Sequence, residues 1–312
     1  KINCWKYGGH GRQTFKEVVQ NSCNPGFVQV GMRLGKEPFY NYIQAFGFGE
    51  ETDINLPGES NGLLYNFDEI GPVELATMSF GHGITVTPIQ LVTAVSAVAN
   101  DGMLLQPKLI QEIRNPNGES FKKVDPTPVR KVVSTETAKK TRELLENVVA
   151  NGTGKNAQIE GYSIGGKTGT AKHYGEQVYD SSFIGMVPVD NPQLVILVVF
   201  YDVTGGVYYG SQTAAPVFKN VAKDVLRYLE IPPQNITKKE KEKESRIILP
   251  DVENLQISNA GDKLRKLNLQ VKIIGNKDKV LRQVPTPGAK VNKKSTVLLF
   301  TEKNLENNNN YY

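Results

Sequence analysis

The stretch LVILVVFY, residues 194–201, constrains this chain more than any other. An unbroken apolar run has no polar face to turn to water, so neither an amphipathic helix nor a half-solvated strand accounts for it. Its β-branched and aromatic residues favour a strand, and its continuity predicts burial on both faces, inside a sheet covered by helices. The preceding SSFIGMV reads as a partner strand, with Val-Asp-Asn-Pro as the turn between them. Helices to cover such a sheet are legible too. TPIQLVTAVSAVANDG has helical apolar spacing between a Thr-Pro start and a Gly stop. STETAKKTRELLENVVANG offers Ser134 or Thr135 as an N-cap and Gly152 as the end. TAAPVFKNVAKDVLRYLEI is amphipathic, and FKEVVQN is a short helical stretch near the start. Residues 1–230 are therefore expected to form one α+β domain around a mostly antiparallel sheet.

Beyond it, PPQNITKKEKEKESR has almost nothing to bury, so 231–246 reads as a linker. Residues 247–303 return to a foldable pattern: a short strand, an amphipathic helix, and three strands in QVKIIGN, KVLRQVPTPGAKV and STVLLFTE. The Asn-rich tail 304–312 carries no readable structure. With 39% hydrophobic and 22% charged residues the chain is globular rather than disordered. A formal net charge of +5 over 312 residues is too mild to point to nucleic acid. No apolar run reaches the ~20 residues of a spanning helix. Lys1 opens mid-motif, so the chain is expected to be part of a longer protein.

Two short motifs can carry chemistry. Ser22-Cys23-Asn24 follows the FKEVVQN helix, and Lys167-Thr168-Gly169-Thr170 lies in a strand-like segment about 145 residues later. Alone, each has an ordinary reading, a helix-end serine and an exposed strand cation. Together they suit acyl transfer. A hydroxyl and an amide on a rigid loop relay a proton and hold a peptide group. A facing lysine attracts a carboxylate, Gly169 lets substrate lie close, and backbone amides near Thr170 can serve an oxyanion.

Their order is that of the Ser-x-Asn and Lys-Thr-Gly elements of penicillin-binding proteins. FGHGITVTPIQ, AVANDG and YYGSQTAAPVFKNV resemble further stretches of the class B members, the CWKYGGHG…QNSCNP opening resembles their sporulation and division type, and 247–303 resembles a PASTA domain. The resemblance implies a penicillin-recognising transpeptidase fold with its N-terminal part missing, plus a small αβ PASTA-like domain. It implies D,D-transpeptidation of peptidoglycan stem peptides ending in D-Ala-D-Ala, on the extracytoplasmic face of a membrane or in the forespore envelope. β-Lactams would trap the acyl stage. A glycosyltransferase is an implied partner, and a membrane anchor is expected upstream. By the same resemblance Ser22 relays the proton, Asn24 holds the stem amide, and Lys167 supplies positive potential. Thr168 and Thr170 bind carboxylate or backbone. A carboxypeptidase or β-lactam hydrolase, and a non-enzymatic sensor of peptidoglycan or β-lactam, are the rivals.

The family's nucleophile is the serine of a Ser-x-x-Lys that precedes Ser-x-Asn. Here only Ser120-Phe121-Lys122-Lys123 has that spacing, in the loop-like hairpin NPNGESFKKVDP, where Ser and Lys do not share a helical turn. It is read as a decoy. The nucleophile is expected upstream, leaving these residues alone inactive.

Cys4, His10 and Cys23 are spaced Cys-x5-His-x12-Cys. A Cys4–Cys23 disulfide suits an extracytoplasmic protein. Two free thiols are a second reading. A structural zinc ion held by all three is a third, and it alone explains the histidine and the flexible GGHG together. Of the other histidines, His173 is expected on a partly exposed hairpin and His82 in a turn.

Overall fold

A computed structural model of the chain describes residues 2–233, 247–291, 293 and 295–301. Expectations for the linker from residue 234 and for the tail lie outside those residues. The chain divides into two compact units, Lys1–Gln234 and Asn235–Tyr312.

The first unit opens with three helices: α1 (Phe15–Asn21), α2 (Asn24–Leu34) and α3 (Lys36–Ala45). A capping box starts α1, with Thr14 Oγ1 accepting from Glu17 N and Glu17 accepting from Thr14 N at 2.7 Å. Next come α4 (Pro72–Met78) and α5 (Pro88–Ala99), the latter capped by Thr87. Two small antiparallel pairs follow, β1 (Met103–Gln106) with β4 (Thr127–Lys131), and β2 (Glu112–Arg114) with β3 (Ser120–Lys123). The long helix α6 (Thr135–Asn151) begins at Ser134, whose side chain caps Thr137 N, and ends at Gly152.

The sheet is β5 (Gly165–Lys172), β6 (Tyr179–Val187) and β7 (Leu194–Val203), in that order and antiparallel throughout, and α7 (Ala214–Tyr228) closes the unit. Here the expectation for LVILVVFY is corrected. β7 is an edge strand among the described residues, only partly buried along its length, with Phe200 and Tyr201 exposed. The most buried strand of the three is β6, where Phe183, Met186 and Val187 show no exposure while Tyr179, Asp180, Ser182 and Ile184 stay partly buried. α5 and α7 both touch β7, so helices cover its apolar run where no second strand does.

Paired glycines make room for the core. Gly166 and Gly185 face each other across β5 and β6. A Cβ at Gly185 would lie 2.7 Å from the Phe218 ring, and one at Gly166 would press on Phe183. Those two rings meet at 4.8 Å and 60°. Gly185 thus lets α7 approach the sheet, Gly166 clears the Phe183 ring, and Gly165 faces Leu145 of α6.

The second unit has β8 (Ile247–Ile248), α8 (Ile257–Arg265), β9 (Gln270–Ile274), β10 (Arg282–Val284), β11 (Lys290–Val291) and β12 (Thr296–Phe300). β12 lies between β10 and β9, pairing parallel with β9, while β11 pairs with β8. The single strand expected in KVLRQVPTPGAKV is two, because Pro285 and Pro287 supply no N–H to continue a ladder. Among the described residues no helix is long and apolar enough to cross a membrane.

Candidate active site

Ser22 sits between two helices. It is the C-cap of α1 with φ 49° and ψ 49°, its N–H bonded back to Val18 and Val19 carbonyls. Cys23 is the buried N-cap of α2, and Asn24 is that helix's first residue, followed by Pro25. The sequence suggested a loop; a left-handed residue between two helices fixes the three side chains more firmly than a loop would. The helix pair α2–α3 was not legible, since Gly26, Gly31 and Gly35 interrupt it. Gly31 is needed there because a Cβ would collide with Ser79 Oγ of α4.

Lys167 projects from β5 and donates from Nζ to Ser22 Oγ at 2.7 Å and to the Thr168 carbonyl at 3.1 Å. The residue as a whole is half-buried, but its ammonium is enclosed by protein, and the enclosure governs its charge. That desolvation lowers its pKa to about 8. Ser22 and Lys167, 145 residues apart in sequence, thus meet directly. Asn24 stands beside them on α2, and no hydrogen bond joins its amide to either among the described residues.

Along β5, Thr168 Oγ1 donates to Thr153 Oγ1 at 3.2 Å, and Thr170 Oγ1 accepts from Gly210 N at 3.2 Å. Among the described strands β5 pairs with β6 alone, so one of its edges carries unspent backbone groups. Gly169 also answers to its own sheet, since a Cβ there would strike Ser182 Oγ of β6. Thr153, in the turn after α6, and Tyr208 were not singled out from sequence. Tyr208 stacks on Tyr179 at 3.9 Å and 9°, two residues before the Gly210 that bonds Thr170. The only sequence signals for them are NGTG and YYG, short and uninformative alone.

The cysteines and His10 gather on the other side of Ser22. Cys4 Sγ lies 3.0 Å from His10 Nδ1, and ligand atoms of Cys4, His10 and Cys23 lie within 4.8 Å of one another. The two thiols are not joined. Burial lowers the His10 pKa, with Lys6 adding to it, both favouring the neutral ring. Burial raises Cys4, the Lys6 N–H opposes it, and the neighbouring Cys23 raises it further. Gly8, Gly9 and Gly11, with φ of 76°, 74° and 67°, turn this segment back on itself. Trp5 then anchors it, its Nε1 donating to the Asn21 carbonyl at 2.9 Å and its ring meeting His10 edge-on at 5.4 Å.

The other marked residues stand apart from this cluster. Ser120 and Lys123 lie on the exposed strand β3, where side chains three apart point to opposite faces. His173 lies beyond the end of β5, its Nε2 3.1 Å from Asp180 and its Nδ1 4.0 Å from Asp202. His82 is exposed in the turn after α4, against Phe80.

Comparison with known proteins places this geometry in a family. Residues 1–223 match the penicillin binding protein transpeptidase domain, and residues 247–303 match the PASTA domain. Stage V sporulation protein D of Bacillus subtilis is 44% identical over 96% of this chain and 48% of its own length. A probable peptidoglycan D,D-transpeptidase, PbpC of Pseudomonas aeruginosa, is 33% identical over 72% of the chain and 39% of its own length. The chain therefore spans about half, or less, of these relatives. Among solved structures, the apo transpeptidase domain of Burkholderia pseudomallei penicillin-binding protein 3 superposes with a TM-score of 0.66 at 34% identity, covering 75% of this chain and 70% of that one. Penicillin-binding protein 3 of Mycobacterium tuberculosis, complexed with aztreonam, gives 0.63 at 31% identity, covering 72% and 54%. The chain belongs to the penicillin-binding protein transpeptidase family, of the class B type, and carries a PASTA domain after its transpeptidase domain.

Proposed function

We propose that this chain supplies two walls of a serine D,D-transpeptidase site that cross-links peptidoglycan stem peptides at the extracytoplasmic face. The observation that carries the reading is the 2.7 Å contact between Lys167 Nζ and Ser22 Oγ. It puts a desolvated ammonium on a hydroxyl, an arrangement able to move a proton and to hold an anionic group. The nucleophilic serine lies outside these residues in this reading. Its oxygen forms an ester with the penultimate D-Ala carbonyl, and the terminal D-Ala leaves as an amine after taking a proton through Ser22. An amine of a neighbouring stem then attacks the ester and restores the serine. Lys167 and Thr168 hold the substrate carboxylate. Asn24 holds the stem amide, and the Thr170 N–H faces the oxyanion. The unpaired edge of β5 lets the stem peptide lie as an added strand. A β-lactam stops at the ester because its leaving amine stays tethered.

The test is reaction of the full-length protein with a penicillin and mapping of the adduct by peptide mass spectrometry. An adduct on a serine outside residues 1–312 is expected. An adduct on Ser120, or none, overturns the assignment. Dimeric amide rather than free acid as product separates transfer from the hydrolytic rival.

A second reading is favoured by the Cys4–His10–Cys23 cluster: a structural zinc ion. Two thiols and a neutral imidazole within 4.8 Å are a donor set suited to it. The ion would supply no chemistry to acyl transfer; bound, it links the opening segment to the Ser22 junction. Protein purified without chelator is expected to carry about one zinc per chain. Absence of zinc, with Cys4 and Cys23 linked in mass spectra, overturns this.

A further inference from the structure

The Ser22–Lys167 contact joins two pieces of chain with no covalent neighbour in common, so their separation must be set elsewhere. α1 has seven residues, too few to hold its own geometry, and Ser22 at its end sits in a left-handed conformation that a Cβ disfavours. Gln20, two residues before Ser22, ties this helix down. Its Oε1 accepts from Asn147 Nδ2 at 2.8 Å, and its Nε2 donates to the Asn151 carbonyl at 3.3 Å. Its own carbonyl accepts from Thr153 N at 3.3 Å, across Gly152, where any Cβ would collide with that carbonyl. Asn151 Nδ2 in turn donates to Asn147 Oδ1 at 2.9 Å, which orients the Asn147 amide toward Gln20. All of these partners belong to the last turns of α6 and the residues just after it. α6 packs directly on β5: a Cβ at Gly165 would lie 3.3 Å from Leu145 Cβ. The connections therefore close a ring, from Ser22 through α1 and Gln20 to α6, then through β5 and Lys167 back to Ser22.

We propose that Gln20 is a positioning residue, which through the final turn of α6 holds Ser22 at bonding distance from Lys167. The inference rests on the acyl-transfer reading above. α1 also buries Val18 and Val19, but the hydrogen bonds of Asn21 do not reach α6, since they go to Gln13 and Trp5 in the segment before α1. Among the described residues no hydrogen bond joins the Gln20 side chain to Ser22 or Lys167, so it acts through where it puts Ser22.

The experiment uses the full-length protein and measures its rate of acylation by a penicillin across pH, with thermal unfolding alongside. Gln20→Met keeps length and helix preference but removes both amide bonds. It is expected to slow acylation about tenfold or more. The loss of activity at high pH, set by Lys167, is expected to move upward as the ammonium gains water. Asn147→Ala breaks the same link from the other side, so the double variant is expected to lose no more than the worse single one. Should Gln20→Met fail to fold, Asn147→Ala is read by the same two measures. Acylation at the parent rate with the parent pH profile overturns the inference, as do losses that multiply in the double variant. An unmodified protein that takes no penicillin sinks the acyl-transfer reading itself, and this inference with it.

Discussion

One wall of the site, β5, stands on a fully buried aromatic core, whereas the other, the α1–α2 junction, is held at its margins by hydrogen bonds. Behind β5, Phe183, Met186, Val187 and Phe218 have no exposed surface. Around Ser22, the buried hydrophobic side chains of α1 and the junction among the described residues are Val18, Val19 and Cys23, at 6%, 8% and 4% exposure. The rest of the junction depends on Gln20, Trp5 and the Thr14–Glu17 capping box. The difference teaches where error enters such a site. The lysine is placed by packing, which is all-or-none. The serine is placed by directional bonds, each worth only about 0.5–1.5 kcal/mol net. Substitutions behind β5 should therefore unfold the unit, while those around α1 should misplace Ser22 in a folded one.

The sharpest way to break that contrast is to empty the core. Phe218→Ala is expected to destabilise the first unit by about 3–5 kcal/mol, with activity falling only as folded protein is lost. Chemical denaturation followed beside penicillin acylation per folded molecule checks this. A large drop in the per-molecule rate would mean that β5 is adjusted by its core rather than simply supported by it. Next in size is Lys167→Met, expected to slow acylation about 10²–10³-fold, the scale of losing one charge-stabilising donor.

The same variant sharpens the comparison through pH. The ordinary lysine value is 10.5 and burial lowers Lys167 to about 8. Between those values the unfolded chain holds a proton that the folded one has released, so stability rises with pH across that window. Below about 8 both states are charged and the full cost of burying the ammonium is present. Lys167→Met is therefore expected to melt a few degrees above the parent at pH 7, with the gap closing toward pH 10.5. The parent's acylation should fall above pH 8, where the ammonium is lost. A Met variant no more stable than the parent at pH 7 would show that the lysine is less enclosed than its surroundings imply.

Much of this contrast was legible from residue order. Ser134 and Gly152 mark the ends of α6 because a cap hydroxyl and a C-terminal glycine are local requirements. The hairpin around Ser120 was legible because Asn-Pro-Asn-Gly is turn chemistry in itself, and β3 does pair back on β2. What escaped was long-range. LVILVVFY was expected to be buried on both faces, yet β7 is only partly buried and is exposed at Phe200 and Tyr201, because an apolar run does not report which neighbours cover it. Gly169 was read as clearance for substrate, and its packing against Ser182 on the next strand was not legible, because that pairing exists only once β5 and β6 are in register. Gln20 carried no signal at all. A glutamine on a short helix is ordinary until α6, over a hundred residues on, arrives beside it.

The smallest change tests the junction most cleanly. Thr14 caps α1, with Glu17 Oε2 accepting from Thr14 N at 2.7 Å and from its hydroxyl at 2.8 Å. Thr14→Ala removes the cap and is expected to cost about 1 kcal/mol, a few degrees at most in the melting point. Those same bonds, to the Thr14 N–H first and its hydroxyl second, hold the Glu17 carboxyl below its ordinary value of 4.5. A lowered carboxylate contributes stability above its unfolded pKa and loses it as pH falls through the folded one, so the cap should matter at neutral pH and fade in acid. The Ser134 cap of α6 is a matched control, since Ser134→Ala should cost similarly, but at the far end of a 17-residue helix packed on β5. If the junction is the adjustable wall, Thr14→Ala slows acylation by more than its stability cost predicts, and Ser134→Ala does not. Equal rate losses for equal stability losses would mean both walls move as one body, and the contrast between them would fall.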